Sequence, residues 1–390
     1  MPRPLLLFAA LVGAGLLAVG ALNIVFGGGS DLLRGASEMQ DLVRRQVASG
    51  DALLAPPDFN DRYYKRALIR QRATEIKAIV TGSSRVFLLD AAAFESVLGV
   101  ERRAFLNAGM QGSTLEDHVI IWQICKESGL VPDTFFLGLD PWILNENSGE
   151  SRWEALDGEF RRFSFAGDSV GDSLRRVLSD RSIRYQWLKL TDLLGTPRLL
   201  VSLKELRRRA GGGKSDTDAE KPQLVAEAAV PPQRAGKRVD GSAIYPLSEM
   251  QARFTGEVAE QVLGQARAGK FYQFGGWTEL SVERAQLLRR LLQDMRAHGV
   301  RVVGFTVPYV HGYYGLLREN RNYARLLRQQ SRLLGEIFAA QDFEYHDLLD
   351  PAVPGLIPDH FTDYIHPTRD GMLKVLAHIR DRSTLLKKRP

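Results

Sequence analysis

The pattern of apolar positions predicts strands that alternate with helices along two parts of the chain. The predicted strands are short apolar runs, which are typical of buried parallel strands, at 77–81, 103–107, 134–139, 301–307 and 344–348. The predicted helices show apolar residues at helical spacing, at 113–128, 281–298, 323–340 and 371–382. Alternation of this kind predicts an α/β fold with a doubly wound parallel sheet.

Capping residues support two of these helices. Ser113 is the expected N-cap of the helix over 113–128, and Glu116 stands three residues later, as in a capping box. Gly299 follows the helix over 281–298 in the position where glycine ends a helix. We therefore expect both helices to be bounded close to these residues.

The amino-terminal segment predicts a membrane anchor in residues 1–30. An uncharged run from Pro4 to Ser30 follows Arg3, and Leu5 to Phe26 has the length that spans a bilayer as a helix. A cleavable signal peptide is the alternative, but the run is long for one and offers no clean cleavage site. Charges flanking the run do not determine its orientation.

The remainder of the chain divides into three further regions. Residues 31–75 predict a polar, helical juxtamembrane segment. Residues 76–144 and 281–390 carry the α/β pattern, and 145–280 predict a mostly helical insertion between its two parts. Within it, 204–238 is rich in Gly, Ala, Pro, Lys and Asp and lacks a core-forming pattern, so we expect disorder there.

Composition narrows the function classes. The chain has 390 residues, a net charge of +6 and a single cysteine, which excludes an intramolecular disulfide and a multi-cysteine metal site. Cys125 lies in an apolar helical stretch and is expected to be a buried hydrophobe. We find no nucleic-acid-binding motif and no spacing of histidines and carboxylates that predicts a metal site, and we expect no cofactor.

Residues suited to nucleophilic catalysis follow the predicted strands. Gly82-Ser83-Ser84 follows the first strand, and Asp363 and His366 stand three residues apart before the last helix. A serine hydroxyl needs a base to take its proton, and a carboxylate orients that base. These residues therefore predict a Ser–His–Asp site at the carboxyl edge of the sheet.

These motifs resemble those of the SGNH (GDSL-like) hydrolase superfamily, whose fold is a flavodoxin-like doubly wound sheet. The matching blocks are Gly82-Ser83-Ser84, Gln111-Gly112-Ser113-Thr114 and Asp363 to Pro367. The resemblance implies that Ser84, Asp363 and His366 are catalytic, with Ser83 as the competing hydroxyl, and that Gly112 helps to bind an oxyanion. The family's third block ends in Asn-Asp, whereas Gly138-Leu139-Asp140 has an aspartate where the asparagine donor is expected.

The Gly-Ser-Ser-Arg start, the Asn-x-Gly turn and the anchor are similar to membrane-anchored envelope proteins of alginate O-acetylation and of teichoic acid D-alanyl transfer. This resemblance implies a single-pass protein of the inner membrane, with its catalytic domain in the periplasm. It also implies an extracytoplasmic polysaccharide as substrate and a membrane-bound O-acyltransferase as partner. We expect an acyltransferase or esterase; the alternative is a catalytically silent SGNH-fold subunit that binds polymer or scaffolds an envelope complex.

Five residues at the strand ends are candidates for substrate binding: Arg85, Asp140, Trp142, Tyr309 and His311. An arginine beside the serine can orient an acyl or carboxylate group, and the alternative is a surface ion pair. The aromatic residues can stack on a sugar ring, and the alternative is burial against the insertion.

Overall fold

We describe the protein from a computed structural model that covers residues 29–56, 59–164 and 222–387. The predicted membrane-spanning run, Leu5 to Phe26, and residues 204–221 of the predicted disordered stretch lie outside these ranges. No helix within the described ranges is long and apolar enough to cross a bilayer.

The chain divides into two compact units. One comprises Val43–Phe163 and Pro222–Pro390, and it contains every strand described below. The other comprises Met1–Leu42 and Ser164–Lys221, of which only the start of one helix and Ser164 are described.

The helices are α1 Gly29–Ser49, α2 Asp61–Arg72, α3 Ala91–Leu98, α4 Leu115–Glu127, α5 Asp157–Ser164, α6 Leu247–Gln251, α7 Gly256–Arg267, α8 Val282–Ala297, α9 His311–Glu319, α10 Arg321–Ala339 and α11 Arg369–Arg382. The strands are β1 Ala52–Leu54, β2 Ala78–Thr81, β3 Phe105–Asn107, β4 Thr134–Leu139, β5 Gln223–Val225, β6 Gly236–Lys237, β7 Ala243–Ile244, β8 Arg301–Thr306 and β9 Glu344–His346.

The main sheet is parallel and has the strand order β3-β2-β4-β8-β9. Taken in order along the chain, its five strands are therefore arranged 2-1-3-4-5. The α/β class with a parallel sheet, predicted from the sequence, is confirmed. In this order the chain reverses its direction of winding between β2 and β4, and sheets of this order usually bind ligands at the carboxyl ends of these strands.

Successive residues of a strand point to opposite faces of the sheet, so both faces carry apolar side chains. Helices cover both of these faces. In β4, the ring of Phe135 meets Trp122 of α4 edge-on, while Phe136 meets Phe94 of α3. Helix α11 packs beside α3, and Gly304 of β8 lies against Phe338 of α10. A strand buried on both faces is uniformly apolar, which is why these strands were visible in the sequence.

A second, antiparallel sheet has the order β5-β1-β6-β7. Its central strand, β1, pairs with β5 through Ala52 and Val225 and with β6 through Leu53 and Lys237. This sheet joins a segment that precedes the main sheet to one that lies within the predicted insertion.

The second sheet corrects two predictions. Residues 222–238 are not disordered: they form β5 and β6, and Gly236 and Lys237 are buried. These strands were missed because they are two or three residues long and take their apolar partners from β1. Residues 43–75 are likewise part of the α/β unit, since β1 is buried and α2 packs against α4.

The start of α4 also differs from the prediction by one residue. Thr114 is its N-cap, and the Asp117 carboxylate accepts a hydrogen bond from the Thr114 amide at 2.9 Å. With Thr114 as the N-cap, Asp117 is the third residue of the helix, and its carboxylate also forms a buried ion pair with Arg62. Helix α8 begins after Ser281 and ends before Gly299, as predicted.

Candidate active site

The turn after β2 presents Ser84 at the carboxyl edge of the main sheet. A Cβ atom at Gly82 would lie 2.9 Å from the Val86 side chain and 3.0 Å from the carbonyl oxygen of Gly138, so only glycine fits this turn. The Ser83 hydroxyl then caps a short 3₁₀ turn, Ser84–Val86, by accepting from the Arg85 amide at 3.4 Å. Ser84 is therefore the first residue of a turn that is fixed on both sides.

A continuous chain of hydrogen bonds joins Ser84 to His366 and Asp363. The Ser84 Oγ atom lies 2.7 Å from His366 Nε2, and His366 Nδ1 lies 2.6 Å from Asp363 Oδ2. The structure thus brings together the three residues whose catalytic role the sequence predicts, although Ser84 and His366 are 282 residues apart. The roles themselves stay predictions.

The loop that carries Asp363 and His366 is held by its own backbone. Asp363 Oδ1 accepts from the amides of Ile365 and His366, at 2.8 and 2.7 Å, while Oδ2 faces the imidazole. Burial alone would raise the pKa of Asp363, but the bonds from the His366 ring and from these amides bring the pKa below its ordinary value. Asp363 is therefore a carboxylate at neutral pH and favours the tautomer with its proton on Nδ1.

Two backbone amides near the strand ends are available as donors. Neither the Ser84 nor the Gly112 amide donates to another described residue. Gly112 has a φ of +58°, and a Cβ atom there would lie 2.6 Å from Arg152 Nη1 and 2.8 Å from Glu150 Oε2. The positive φ favours glycine at this turn, whereas the Arg152 and Glu150 atoms are the ends of side chains that can shift.

Asp140 directly follows β4, and its side chain contacts Ser83. Its Oδ1 atom accepts from the Ser83 hydroxyl at 3.2 Å and from Arg85 Nη1 at 3.1 Å. The hydroxyl of Ser83, the competing nucleophile in the sequence, is thus directed to Asp140 and away from His366. Burial raises the pKa of Asp140 in spite of the opposing charge of Arg85.

Arg85 is buried, with 2% of its surface exposed, and it is not a surface residue as one reading of the sequence expected. Its guanidinium bonds the carbonyl oxygens of Ile365, Val307 and Pro308 as well as the Asp140 carboxylate. It also lies over the ring of Tyr309, 4.5 Å from the ring centre. With its donors directed to these acceptors, Arg85 joins the ends of β2, β4 and β8 to the His366 loop.

The aromatic candidates do not form an exposed wall. Trp142 and Tyr309 are 3% and 0% exposed, and Trp142 packs edge-on against Tyr272 and near Phe274. Burial against the inserted segment, the alternative reading, therefore holds for Trp142. His311 is exposed at the start of α9.

Asn107, to which the sequence assigns no specific role, fixes the turn after Ser84. Its side-chain Nδ2 atom donates to the carbonyl oxygens of Val86 and Leu89, at 2.8 and 2.9 Å, and its Oδ1 atom accepts from the Gly109 backbone amide at 2.8 Å. The Asn-x-Gly pattern directly after a strand was the available signal. Glu150 and Arg152, which lie beside Gly112, stand in no sequence pattern that indicates this position.

His118 contacts the end of β2, the strand that precedes Ser84. Its Nδ1 atom is 2.7 Å from the Thr81 hydroxyl, and burial lowers its pKa to about 4. Among the described residues, no group of three or more histidine, cysteine or acidic side chains is arranged to hold a metal ion.

No protein-family model matches the chain, and no curated protein matches it significantly.

Proposed function

We propose that this chain is an SGNH-type serine acyltransferase or esterase that modifies an extracytoplasmic polysaccharide. The observation that carries the proposal is the hydrogen-bonded chain from Ser84 through His366 to Asp363. The 2-1-3-4-5 strand order supports it, since this is the order of flavodoxin-like doubly wound sheets, and Ser84 follows β2 at their usual ligand-binding crevice.

In the proposed reaction, Ser84 Oγ attacks the acyl carbonyl carbon while its proton passes to His366 Nε2. Asp363 holds the imidazole and stabilises the imidazolium that forms. Collapse of the tetrahedral intermediate expels the donor's alkoxide, which takes the proton from His366, and leaves an acyl group on Ser84. A sugar hydroxyl or water then attacks this ester with His366 as base, and Ser84 recovers its proton.

The negative charge of the tetrahedral intermediate needs donors in fixed positions. The unpaired amides of Ser84 and Gly112 are the proposed pair. Arg85 acts as a positioning residue in this scheme, because it bonds the carbonyl oxygen of Ile365, the residue before His366.

The proposed location and partners come from the sequence. The run from Leu5 to Phe26 is the proposed single-pass anchor in the inner membrane, with the α/β unit in the periplasm. The acyl donor is proposed to be loaded by a membrane-bound O-acyltransferase, on the resemblance to envelope acyl-transfer proteins.

The proposal is tested on the full chain in a neutral detergent, with a chromogenic acetyl ester and a fluorophosphonate probe. Hydrolysis and labelling are expected in the wild type and in Ser96→Ala, whose hydroxyl only bonds the helix backbone of α3. Both are expected to disappear in Ser84→Ala, and the labelled peptide is expected to carry its adduct on Ser84. An adduct on Ser83, or full hydrolysis by Ser84→Ala, contradicts the assignment.

A second function, a catalytically silent polymer-binding or scaffolding subunit, is favoured by Asp140. Its carboxylate is an acceptor where a donor to the oxyanion is expected, and it is engaged by Arg85. Under this alternative, Ser84→Ala would leave polymer modification in cells unchanged. Under the catalytic proposal, it would abolish that modification.

A further inference from the structure

Helix α10 carries a straight line of exposed arginines: Arg321, Arg325, Arg328 and Arg332. We call this set the arginine stripe. At 3.6 residues per turn, the four side chains fall within about 60° of one another and extend over about 16 Å of helix. The opposite side of α10 is apolar and buried through Leu326, Leu334, Ile337 and Phe338, so the stripe is the outer face of a firmly packed helix.

The stripe has no carboxylate partner within the described part of the chain. Arg321, Arg328 and Arg332 form no ion pair or hydrogen bond there, and Arg325 bonds only neutral oxygens. Several exposed arginines elsewhere on the unit, such as Arg102 and Arg267, are paired with a nearby carboxylate, whereas others, such as Arg289, pair with none that the structure describes. Within the described residues, the positive charge of the stripe is therefore offset by no ion pair.

This arrangement works against the helix that carries it. Like charges three or four residues apart repel, and Arg321 stands at the positive amino-terminal end of the helix dipole, where no acidic residue lies in the first turn. A set of residues that breaks local helix rules without a compensating contact points to a role in binding.

The stripe begins beside the aromatic cluster at the carboxyl edge of the main sheet. Asn322 donates to the carbonyl oxygen of Trp277, and Arg325 donates to that of Thr278. The neighbouring Tyr323 ring meets Phe274, which in turn packs near Trp142 at the end of β4. The stripe thus starts at the edge of the sheet that carries Ser84.

We infer that the arginine stripe binds a linear acidic polysaccharide through its carboxylates. Guanidinium groups bind carboxylates in a planar, bidentate manner, and a single file of them fits a linear chain of repeated charges. A bilayer surface is a poorer fit, because a helix that binds one also presents apolar residues to it, and the large exposed apolar residues lie outside α10. This binding goes beyond the proposed catalysis and does not depend on it.

The test measures binding of fluorescent oligogalacturonate to the full chain in a neutral detergent. The stripe variant carries Arg321→Gln, Arg328→Gln and Arg332→Gln, three residues whose side chains hold nothing else in place. We expect the wild type to bind with an affinity that falls as salt rises, and the stripe variant to bind at least tenfold more weakly.

A matched variant removes the same charge elsewhere. Arg102→Gln, Arg103→Gln and Arg267→Gln neutralise three exposed arginines that are 67%, 81% and 57% exposed and are paired with carboxylates. This variant is expected to bind within threefold of the wild type. Equal loss in both variants would mean that only net charge matters, and it would overturn the proposal.

Three further probes distinguish an acidic polysaccharide from other ligands of the arginine stripe. Neutral dextran should not bind, and single-stranded DNA and anionic vesicles should bind more weakly than oligogalacturonate. Stripe-dependent binding that is strongest for DNA or for vesicles would overturn the assignment to a polysaccharide. Ser84→Ala should bind oligogalacturonate like the wild type, so failure of this proposal and failure of the catalytic one are distinguishable.

Discussion

Replacing Asp140 with asparagine tests two roles of this position separately. One is to pair with the buried charge of Arg85, and the other is to occupy the place where an oxyanion donor is expected. Asp140 and Arg85 are 3% and 2% exposed, and their ion pair has a distance of 3.1 Å. Removing one charge of a buried pair costs about 3–5 kcal/mol, because the other charge is left buried and unpaired. Arg85 keeps three carbonyl acceptors, and the asparagine oxygen can still accept from it, so we expect a loss of about 3 kcal/mol.

The loss is measurable by urea unfolding of the full chain in neutral detergent. With an m-value of about 3 kcal/mol per molar urea, the midpoint is expected to fall by about 1 M. Asp381→Asn is the matched control, since Asp381 pairs with Arg380 at the surface and 62% of its side chain is exposed. Its midpoint should change little. A midpoint for Asp140→Asn as close to the wild type as that of the control would refute the reasoning.

The same variant is expected to hydrolyse an acetyl ester faster per folded molecule. Both contacts to Asp140 use Oδ1, so asparagine can keep its oxygen there and place its NH₂ group at the position of Oδ2. An added oxyanion donor is worth on the order of 3 kcal/mol of barrier when its geometry is ideal. A lower kcat at unchanged KM would mean that the Asp140 charge itself is needed.

Three other substitutions test separate parts of the structure. Asp363→Asn should lower ester hydrolysis by about four orders of magnitude with little change in KM, because the amide favours the wrong imidazole tautomer; steady-state kinetics check this. His118→Gln should remove an acid sensitivity of the folding stability. The folded pKa of His118 is about 4, below that of the unfolded chain, so the stabilisation from the neutral imidazole is present above about pH 6.5 and is lost as the pH falls towards 4. Urea unfolding should show a loss on the order of 3 kcal/mol. Gly304→Ala should destabilise by about 1–3 kcal/mol, because its Cβ would lie 2.4 Å from the Phe338 ring, whereas Gly264→Ala, with nothing within 4 Å, should not; melting temperatures of the two distinguish the outcomes.

The strands of the main sheet could be predicted because burial on both faces leaves a continuous apolar signal. Residues 134–139 match β4 from end to end, and Gly82 marks a turn where a side chain does not fit. The serine and the Asp-x-x-His pair could be found because each has a short motif beside a strand end. Their mutual distances could not, since they depend on a fold that brings residues 282 positions apart into contact.

Features that depend on distant partners escaped prediction. Strand β1 is three residues long and becomes part of a sheet only through its pairing with β5 and β6. Arg85 resembles any arginine at the start of a helical turn, and its burial follows from four acceptors contributed by other loops. Polar residues whose partners lie far along the chain carry no local signal of burial.

The second sheet has a consequence for how the protein can be made. The hydroxyl of Tyr64, on α2, donates to the carbonyl oxygen of Arg238, 174 residues later. Strand β1 pairs with β5 and β6, which come from the same distant segment. During synthesis the amino-terminal third of the unit therefore emerges with the edges of β1 unpaired and with Lys65 lacking its bond to the carbonyl oxygen of Gly241, while its other acceptor, the carbonyl oxygen of Asn107, is already present. A ribosome-bound chain that ends before Gln223 should be sensitive to protease and should engage chaperones, and protection should begin only once β6 has emerged.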